Sequence, residues 1–167
     1  MTQSNNPPDH KPAATLTASP AFVDVVAHSG YRGYRPDREA FGCTLAADAS
    51  DEQLGSAVRK ALLLSRQIEF AEVKAFFDSK LMQQLHDDWV ALMMSSYGYR
   101  SRRALHQALR SCRCESDGSK IRLVPWRREG AEGYVGFGTP DVDVVVPFDS
   151  SDVELGAAAR VALSRCE

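Results

Sequence analysis

Two segments of this chain repeat each other at a fixed distance in the sequence. Residues 48–62 read DASDEQLGSAVRKAL and residues 149–163 read DSSDVELGAAARVAL, with the same residue at nine of fifteen positions. Each copy has helical periodicity and follows a short predicted strand. Two similar strand–helix units in one chain predict equivalent packing of both against a shared sheet. Two copies are too few for a solenoid.

The repeat places a glycine inside each helix and an arginine one turn later. Gly55 and Gly156 each cost about 1 kcal/mol relative to alanine in a helix interior. We interpret them as sites of close backbone approach, such as that of one helix to the other. Arg59 and Arg160 lie on the same side as the glycines, and we expect them to pair with carboxylates inside the protein. Repetition at matched positions indicates scaffold geometry rather than a single chemical site.

Hydrophobic patterning along the chain predicts a mixed α/β (α+β) fold. It has a single sheet of about five strands with about five helices packed against it. The predicted strands cover residues 22–27, 43–46, 121–126, 134–137 and 142–146. The predicted helices cover residues 51–66, 69–76, 79–96, 101–111 and 152–167.

Two of these helices carry apolar faces for which the spacing predicts burial. In the helix over 79–96 the predicted buried residues are Leu81, Leu85, Trp89, Leu92 and Met93. In the helix over 101–111 they are Ala104, Leu105, Ala108, Leu109 and Cys112. Residues 1–19 are polar and contain prolines, so they predict a disordered tail before a single domain over residues 20–167.

Composition excludes several classes of protein. The chain has 20 basic and 22 acidic residues, which argues against a globally basic nucleic-acid binder. Four cysteines are too few and too unevenly spaced for a disulfide scaffold. The first twenty residues contain no apolar stretch typical of a secretory signal, and no run approaches the roughly 20 apolar residues of a membrane span. We therefore expect a soluble cytoplasmic protein that does not contact membranes.

A search for catalytic or metal-binding motifs finds no convincing set. Cys112 and Cys114 lack the second pair of ligands that a structural zinc site needs. His28, His86 and His106 do not stand at metal-ligand spacing from one another, so we interpret them as ordinary core or surface residues. The sequence thus predicts a protein that is not an enzyme and has no metal site and no cofactor.

Charge is unevenly distributed along the chain. Residues 97–113 contain five arginines and no acid: Arg100, Arg102, Arg103, Arg110 and Arg113. This Arg100–Arg113 cluster fits a nucleic-acid-binding patch, but pairing with the protein's own carboxylates is the interpretation that we favour. Residues 67–96 are the acidic counterpart, with five acids against two lysines. Such acids form either a solvated face or a patch complementary to a basic partner.

Three strings resemble the contact-dependent growth inhibition immunity protein (CdiI) family. They are SGYRGYRPDRE at 29–39, YGYRSRRAL at 97–105 and LGAAARVALSRC at 155–166. The resemblance extends over residues 22–166 and implies a non-catalytic bacterial cytoplasmic protein. Its implied partner is the C-terminal toxin domain of a cognate CdiA effector, often a nuclease acting on tRNA, in a 1:1 heterodimer. No direct contact with nucleic acid is expected.

An immunity protein must distinguish its own toxin from others, so strings typical of the whole family are better interpreted as scaffold. We expect toxin specificity in residues 67–90 and 113–132, which contain many acids. Carboxylates there can occupy positions that phosphates take in an electropositive nuclease site. The candidate toxin-binding residues are Glu69, Glu72, Asp78, Asp87, Asp88, Glu115, Asp117, Glu129 and Glu132.

Overall fold

The computed structural model describes residues 9–167. Its strands are β1 (Ala13–Ala18), β2 (Phe22–Gly30), β3 (Tyr34–Pro36), β4 (Gly42–Ala46), β5 (Arg110–Ser116), β6 (Lys120–Glu129), β7 (Gly133–Gly136) and β8 (Val144–Pro147). Its helices are α1 (Asp51–Leu64), α2 (Val73–Phe76), α3 (Ser79–Tyr97), α4 (Arg102–Ala108) and α5 (Asp152–Ser164). Short 3-10 turns at Phe70–Glu72 and Pro140–Val142 complete the described elements. The predicted mixed α/β class is confirmed.

All eight strands of the described residues pair antiparallel in one curled sheet. The strand order is β3-β2-β1-β5-β6-β7, with β4 also pairing with β2 and β8 also pairing with β6. The pair β1 and β5 therefore lies at the centre, and each flanking long strand pairs with two short strands along its outer edge. Among the described residues, no helix is both long enough and apolar enough to cross a lipid bilayer.

The strand register shows that the repeat extends far beyond the two helices. Thr15 pairs with Val26. The residues 98 positions after these two, Arg113 and Val124, also pair with each other. In the first copy, Phe22 pairs with Ala46. The corresponding pair in the second copy is Lys120, 98 positions after Phe22, and Pro147, 101 positions after Ala46. The whole unit β1–β4 plus α1 thus recurs as β5–β8 plus α5. Because Thr15 also pairs with Arg113, a pseudo-two-fold axis passes through the centre of the sheet.

Helices α1 and α5 approach each other most closely at the repeated glycines. A Cβ atom on Gly55 would lie 1.7 Å from the carbonyl oxygen of Asp152. A Cβ atom on Gly156 would lie 1.8 Å from the carbonyl oxygen of Asp51. Neither position has room for a side chain, which confirms that the glycines mark close approach of one helix to the other.

The repeated arginines stabilise this contact, because each one forms hydrogen bonds with the other unit. Arg59 Nε donates to Asp152 Oδ1 at 2.8 Å, and Arg160 Nε donates to Asp51 Oδ1 at 2.8 Å. The predicted pairing with internal carboxylates is confirmed, and each arginine reaches the helix start of the other unit. The remaining guanidinium nitrogens donate to backbone carbonyls before that helix: Phe148 and Ser150 for Arg59, Ala47 and Ala49 for Arg160.

The two faces of the sheet carry different helices. Val23, Val25 and Ala27 of β2 point to the face covered by α1 and α5, where the larger core lies. Phe22, on the alternate face, packs in a second core with Val90, Met93, Leu105 and Leu109 of the segment that contains α3 and α4. Residues 65–109, which belong to neither copy of the repeat, therefore form a separate layer on the second face.

Three sequence-based predictions are wrong. Residues 13–18 belong to the predicted disordered tail, yet they form β1 in the middle of the sheet; residues 1–8 lie outside the described residues. The segment 34–36, which the sequence-based prediction leaves outside every strand, pairs with β2 as β3. The helix predicted to reach Ser111 ends at Ala108, and Cys112 lies on β5. In β5, Cys112 and Cys114 alternate with Arg113 and Glu115, which is the period of a strand rather than of a helix.

The helix contact predicts the effect of adding one methyl group. We expect Gly55→Ala to lower the free energy of unfolding by about 1–3 kcal/mol through overpacking. This loss occurs although alanine is the better helix former by about 1 kcal/mol. Urea denaturation measures the change, with Gly33→Ala as the matched control because a Cβ there meets nothing within 4 Å. Equal stability of the two variants would contradict the close approach.

Candidate functional site

Helix α3 leaves most of its apolar face uncovered. Of the five residues predicted to be buried, only Met93 is buried, together with Val90. Leu81, Leu85 and Leu92 are exposed by 42%, 47% and 57% of their surface. The prediction of a buried face is wrong for these leucines, because the helix contacts the core of the second face only through the row that contains Val90 and Met93.

A cleft of about 280 Å³ lies between the exposed part of α3 and the second face of the sheet. Helix α3 contributes Met82, Leu85 and Trp89 to its apolar wall, and Tyr134 of β7 lies on the other side. The Trp89 indole N–H is buried and has no hydrogen-bond partner among residues 9–167. The sheet side of the cleft is lined by polar residues of β1, β2 and the loop after β3: Thr15, Thr17, Asp24, His28 and Arg38.

A buried carboxylate on β2 is held by groups from the loop after β3 and from β4. Asp24 is almost fully buried and accepts a hydrogen bond from Arg38 Nη1 at 3.1 Å and one from Thr44 Oγ1 at 2.8 Å. The Arg38 guanidinium also lies 5.8 Å from the ring centre of Trp89. The buried charge is therefore paired, and the same arginine ties the sheet to α3 across the cleft.

His28 is a second buried polar residue in the same lining. Its Nε2 atom is 2.6 Å from Thr15 Oγ1 on the neighbouring strand β1. Burial, together with the positive charge of Arg113, lowers the pKa of His28 from 6.5 to about 3. The imidazole is therefore neutral at neutral pH, and its hydrogen bond with Thr15 joins two uncharged groups.

An ionic cluster occupies one end of the cleft. Arg102 of α4 donates from Nε and Nη2 to the two carboxylate oxygens of Glu132, and from Nη1 to Asp87 of α3 at 2.7 Å. These hydrogen bonds lower the pKa of Glu132 to about 2 and lower the pKa of Asp87. His86 Nε2 lies 3.3 Å and His106 Nε2 lies 3.5 Å from Glu132 oxygens. Burial lowers the pKa of His106.

The structure brings some of the candidate acids together and separates others. Asp87 and Glu132 meet at Arg102 beside the cleft. Asp88 accepts a hydrogen bond from Gln84, and Asp78 accepts from the backbone N–H of Leu81 as the N-cap of α3. These four acids therefore lie on or beside α3.

The other candidate acids have different surroundings. Glu115 on β5 lies between Arg113 and Arg122, and Asp117 stabilises the turn before β6 by accepting from the backbone N–H groups of Ser119 and Lys120. These hydrogen bonds lower the pKa of Asp117 to about 2. The remaining candidates are exposed: Glu69, Glu72 and Glu129.

The arginine cluster divides in a similar way. Arg102 pairs with Asp87 and Glu132, and Arg113 lies 3.6 Å from Glu115, as expected for arginines that bind the protein's own carboxylates. The side chains of Arg100, Arg103 and Arg110 are exposed.

Comparison with known proteins identifies the family. The CdiI family model, described as CDI immunity protein, matches residues 12–166. The chain belongs to the CdiI family. One relative, the immunity protein CdiI-YPIII of Yersinia pseudotuberculosis serotype O:3 (strain YPIII), is 32% identical over 167 residues, which is 92% of this chain and 94% of the relative. The resemblance found in the sequence is confirmed.

Two solved structures share this CdiI fold. A protein of unknown function from Neisseria meningitidis superimposes with a TM-score of 0.87 at 30% identity, covering 100% of both chains. A CdiA-CT/CdiI toxin and immunity complex from Yersinia pseudotuberculosis contains a chain that superimposes with a TM-score of 0.85 at 29% identity. That match covers 95% of this chain and 98% of the other. The two-layered arrangement around the sheet is therefore common to these CdiI-like chains.

Sequence reasoning did not find the cleft, although one signal was present. Asp24 and His28 interrupt the apolar run of β2 at even positions, which indicates that one face of the strand meets polar groups. Trp89 and Tyr134 carried no signal, because their placement depends on how residues 65–109 fold back over the sheet. The sequence also predicted that the apolar face of α3 is buried, and this error left no reason to expect a cleft beside the helix.

The neutral state of His28 predicts a pH-dependent loss of stability. Between pH 6.5 and about 3 the unfolded chain binds a proton at this histidine and the folded chain does not, so falling pH favours unfolding. Between pH 7 and pH 4.5 we expect the free energy of unfolding of the wild-type protein to fall by about 2–3 kcal/mol more than that of His28→Gln. Denaturant unfolding at both pH values measures the difference, and parallel pH profiles would contradict it.

Proposed function

We propose that this CdiI protein binds and neutralises the C-terminal toxin domain of a cognate CdiA effector. It acts in the bacterial cytoplasm as one partner of a 1:1 complex, and it inhibits by binding without turning over a substrate. Support comes from membership of the immunity family and from the similarity to the immunity chain of a solved toxin–immunity complex. We further propose that the toxin is a nuclease that acts on RNA.

We propose the α3 surface as the toxin-binding site. This surface consists of Leu81, Met82, Leu85 and Leu92 together with the adjoining cleft. The uncovered apolar row on α3 is the observation that carries this assignment, because protein-binding sites combine an apolar centre with a polar rim. A partner that covers the leucines and enters the cleft buries both features at once.

Acids on and before α3 supply the polar rim. Glu69 and Glu72 precede the helix, and Asp78 caps its start. Asp88 lies within the exposed row between Leu85 and Leu92, and Asp87 lies beside it. A nuclease binds phosphates with positive groups, so these carboxylates complement its active site and speed association with it. Glu132 joins this rim through Arg102, whereas Glu115, Asp117 and Glu129 act in our proposal as peripheral toxin contacts.

The apolar centre is tested by placing a charge in it. We expect Leu85→Arg to weaken binding of the CdiA C-terminal region encoded with this gene by at least about 30-fold, as for a central interface residue. Leu63→Arg is the matched control, because Leu63 is 64% exposed on α1, on the opposite face of the sheet. Calorimetric titration and rescue of toxin-arrested cells provide the measurements. Equal loss of affinity in both variants, or in neither, would contradict the α3 surface.

The acidic rim is tested by reversing its charge. We expect the double variant Glu72→Lys and Asp88→Lys to lower the association rate constant about tenfold at low salt, because it removes electrostatic attraction to a basic toxin. The double variant Asp48→Lys and Asp149→Lys changes the net charge equally at exposed sites in the two copies of the repeat. Stopped-flow mixing at several salt concentrations measures the rates. The rim has no part in recognition if both pairs give the same rate.

The nature of the toxin is tested separately. The purified CdiA C-terminal region is incubated with RNA, with DNA and with tRNA, in the presence and absence of an equimolar amount of this protein. We expect RNA cleavage that stops at a 1:1 ratio. Cleavage of DNA alone would exclude the RNase assignment, and cleavage that continues in the presence of bound protein would exclude inhibition by binding.

A further inference from the structure

Three potential metal ligands from separate parts of the chain converge at one end of the cleft. They are His86 on α3, His106 on α4 and Glu132 in the turn before β7, and their ligand atoms all lie within 4.8 Å of one another. We propose that these three residues bind one divalent transition-metal ion of the zinc class.

The spacing of the ligand atoms fits such an ion. The His86 Nε2 and His106 Nε2 atoms lie 3.3 Å and 3.5 Å from carboxylate oxygens of Glu132. A tetrahedral zinc ion binds nitrogen and oxygen at about 2.0–2.2 Å, which places neighbouring ligand atoms about 3.3–3.5 Å apart. Each separation matches this value, but His86 faces Oε2 and His106 faces Oε1 of Glu132, so an ion held by one of these oxygens requires a small adjustment of the carboxylate or of one imidazole.

His106 supplies a second, independent indication of a ligand. Its side chain is 3% exposed, and neither ring nitrogen makes a hydrogen bond within the described residues. A buried polar group without a partner is costly, and a coordinated metal ion would satisfy Nε2.

Arg102 is the cation that competes with a metal for Glu132. It occupies both carboxylate oxygens, but its Nη1 already donates to Asp87 at 2.7 Å. Asp87 can therefore hold the guanidinium when Glu132 turns a lone pair to the metal. The two carboxylates of Asp87 and Glu132 outweigh the single charge of Arg102, so these three side chains together carry a net charge of −1, which attracts a cation.

The donor set also indicates which metals bind. Two imidazoles and one carboxylate suit zinc, cobalt, nickel and copper better than magnesium or calcium, which prefer oxygen ligands. All three residues line the cleft, so a tetrahedral ion has its fourth position open towards it.

Cobalt and zinc titrations of the chelator-treated full chain test the site. We expect one Co²⁺ per chain with a tetrahedral absorption spectrum, and displacement of Co²⁺ by Zn²⁺. His86→Gln, whose side chain is 41% exposed, is expected to fold normally and to weaken binding at least tenfold, as is Glu132→Gln. Arg102→Gln, which removes the competing cation, is expected to bind Co²⁺ more tightly than His86→Gln.

His10→Gln serves as the matched control, because His10 contacts Ser65 and Tyr34 away from the cluster. Equal Co²⁺ affinity of the His10 and His86 variants would overturn the site, as would a spectrum that shows cysteine coordination or the absence of saturable binding. The titration uses this protein alone, so its failure leaves toxin binding unaffected. Loss of toxin binding in the α3 variants would likewise leave the metal site in place.

Discussion

The helix contact at Gly55 and Gly156 is the constraint on which the rest of the structure depends. A backbone carbonyl of the opposite helix fills the space of each missing side chain, and Arg59 and Arg160 fasten the two units reciprocally. This contact holds both helices on one face of the curled sheet. The second face is thereby left to residues 65–109, a segment that the repeat does not specify and that forms the helical wall of the cleft.

Local patterns predicted the elements whose signals are local. The capping boxes at Ser50 and Ser151, the repeated glycines and the arginines are readable in sequence, and they specify α1, α5 and their contact. Strand β1 could not be recognised, because its six residues AATLTA are mostly small and become buried only between β2 and the sequence-distant β5. Periodicity also identified an apolar side of α3, but periodicity does not reveal whether the fold covers that side.

The candidate site depends on contacts between distant parts of the chain, which explains why single motifs did not reveal it. His86, His106 and Glu132 are separated by 20 and 26 positions and meet only because α3 and α4 fold back beside the turn after β6. The duplicated units and residues 65–109 are under different structural constraints. Residues in the duplicated units are constrained by their counterparts across the pseudo-two-fold axis, whereas residues 65–109 have no such counterpart.

The central pairing of β1 with β5 has a consequence for how the molecule is made. These strands are joined in register although Thr15 and Arg113 are 98 positions apart. The larger core contains residues of α5 and therefore cannot close before residues 152–164 have been synthesised. Nascent chains must keep the first unit's apolar face exposed for most of that time, which makes this stage the one most open to aggregation.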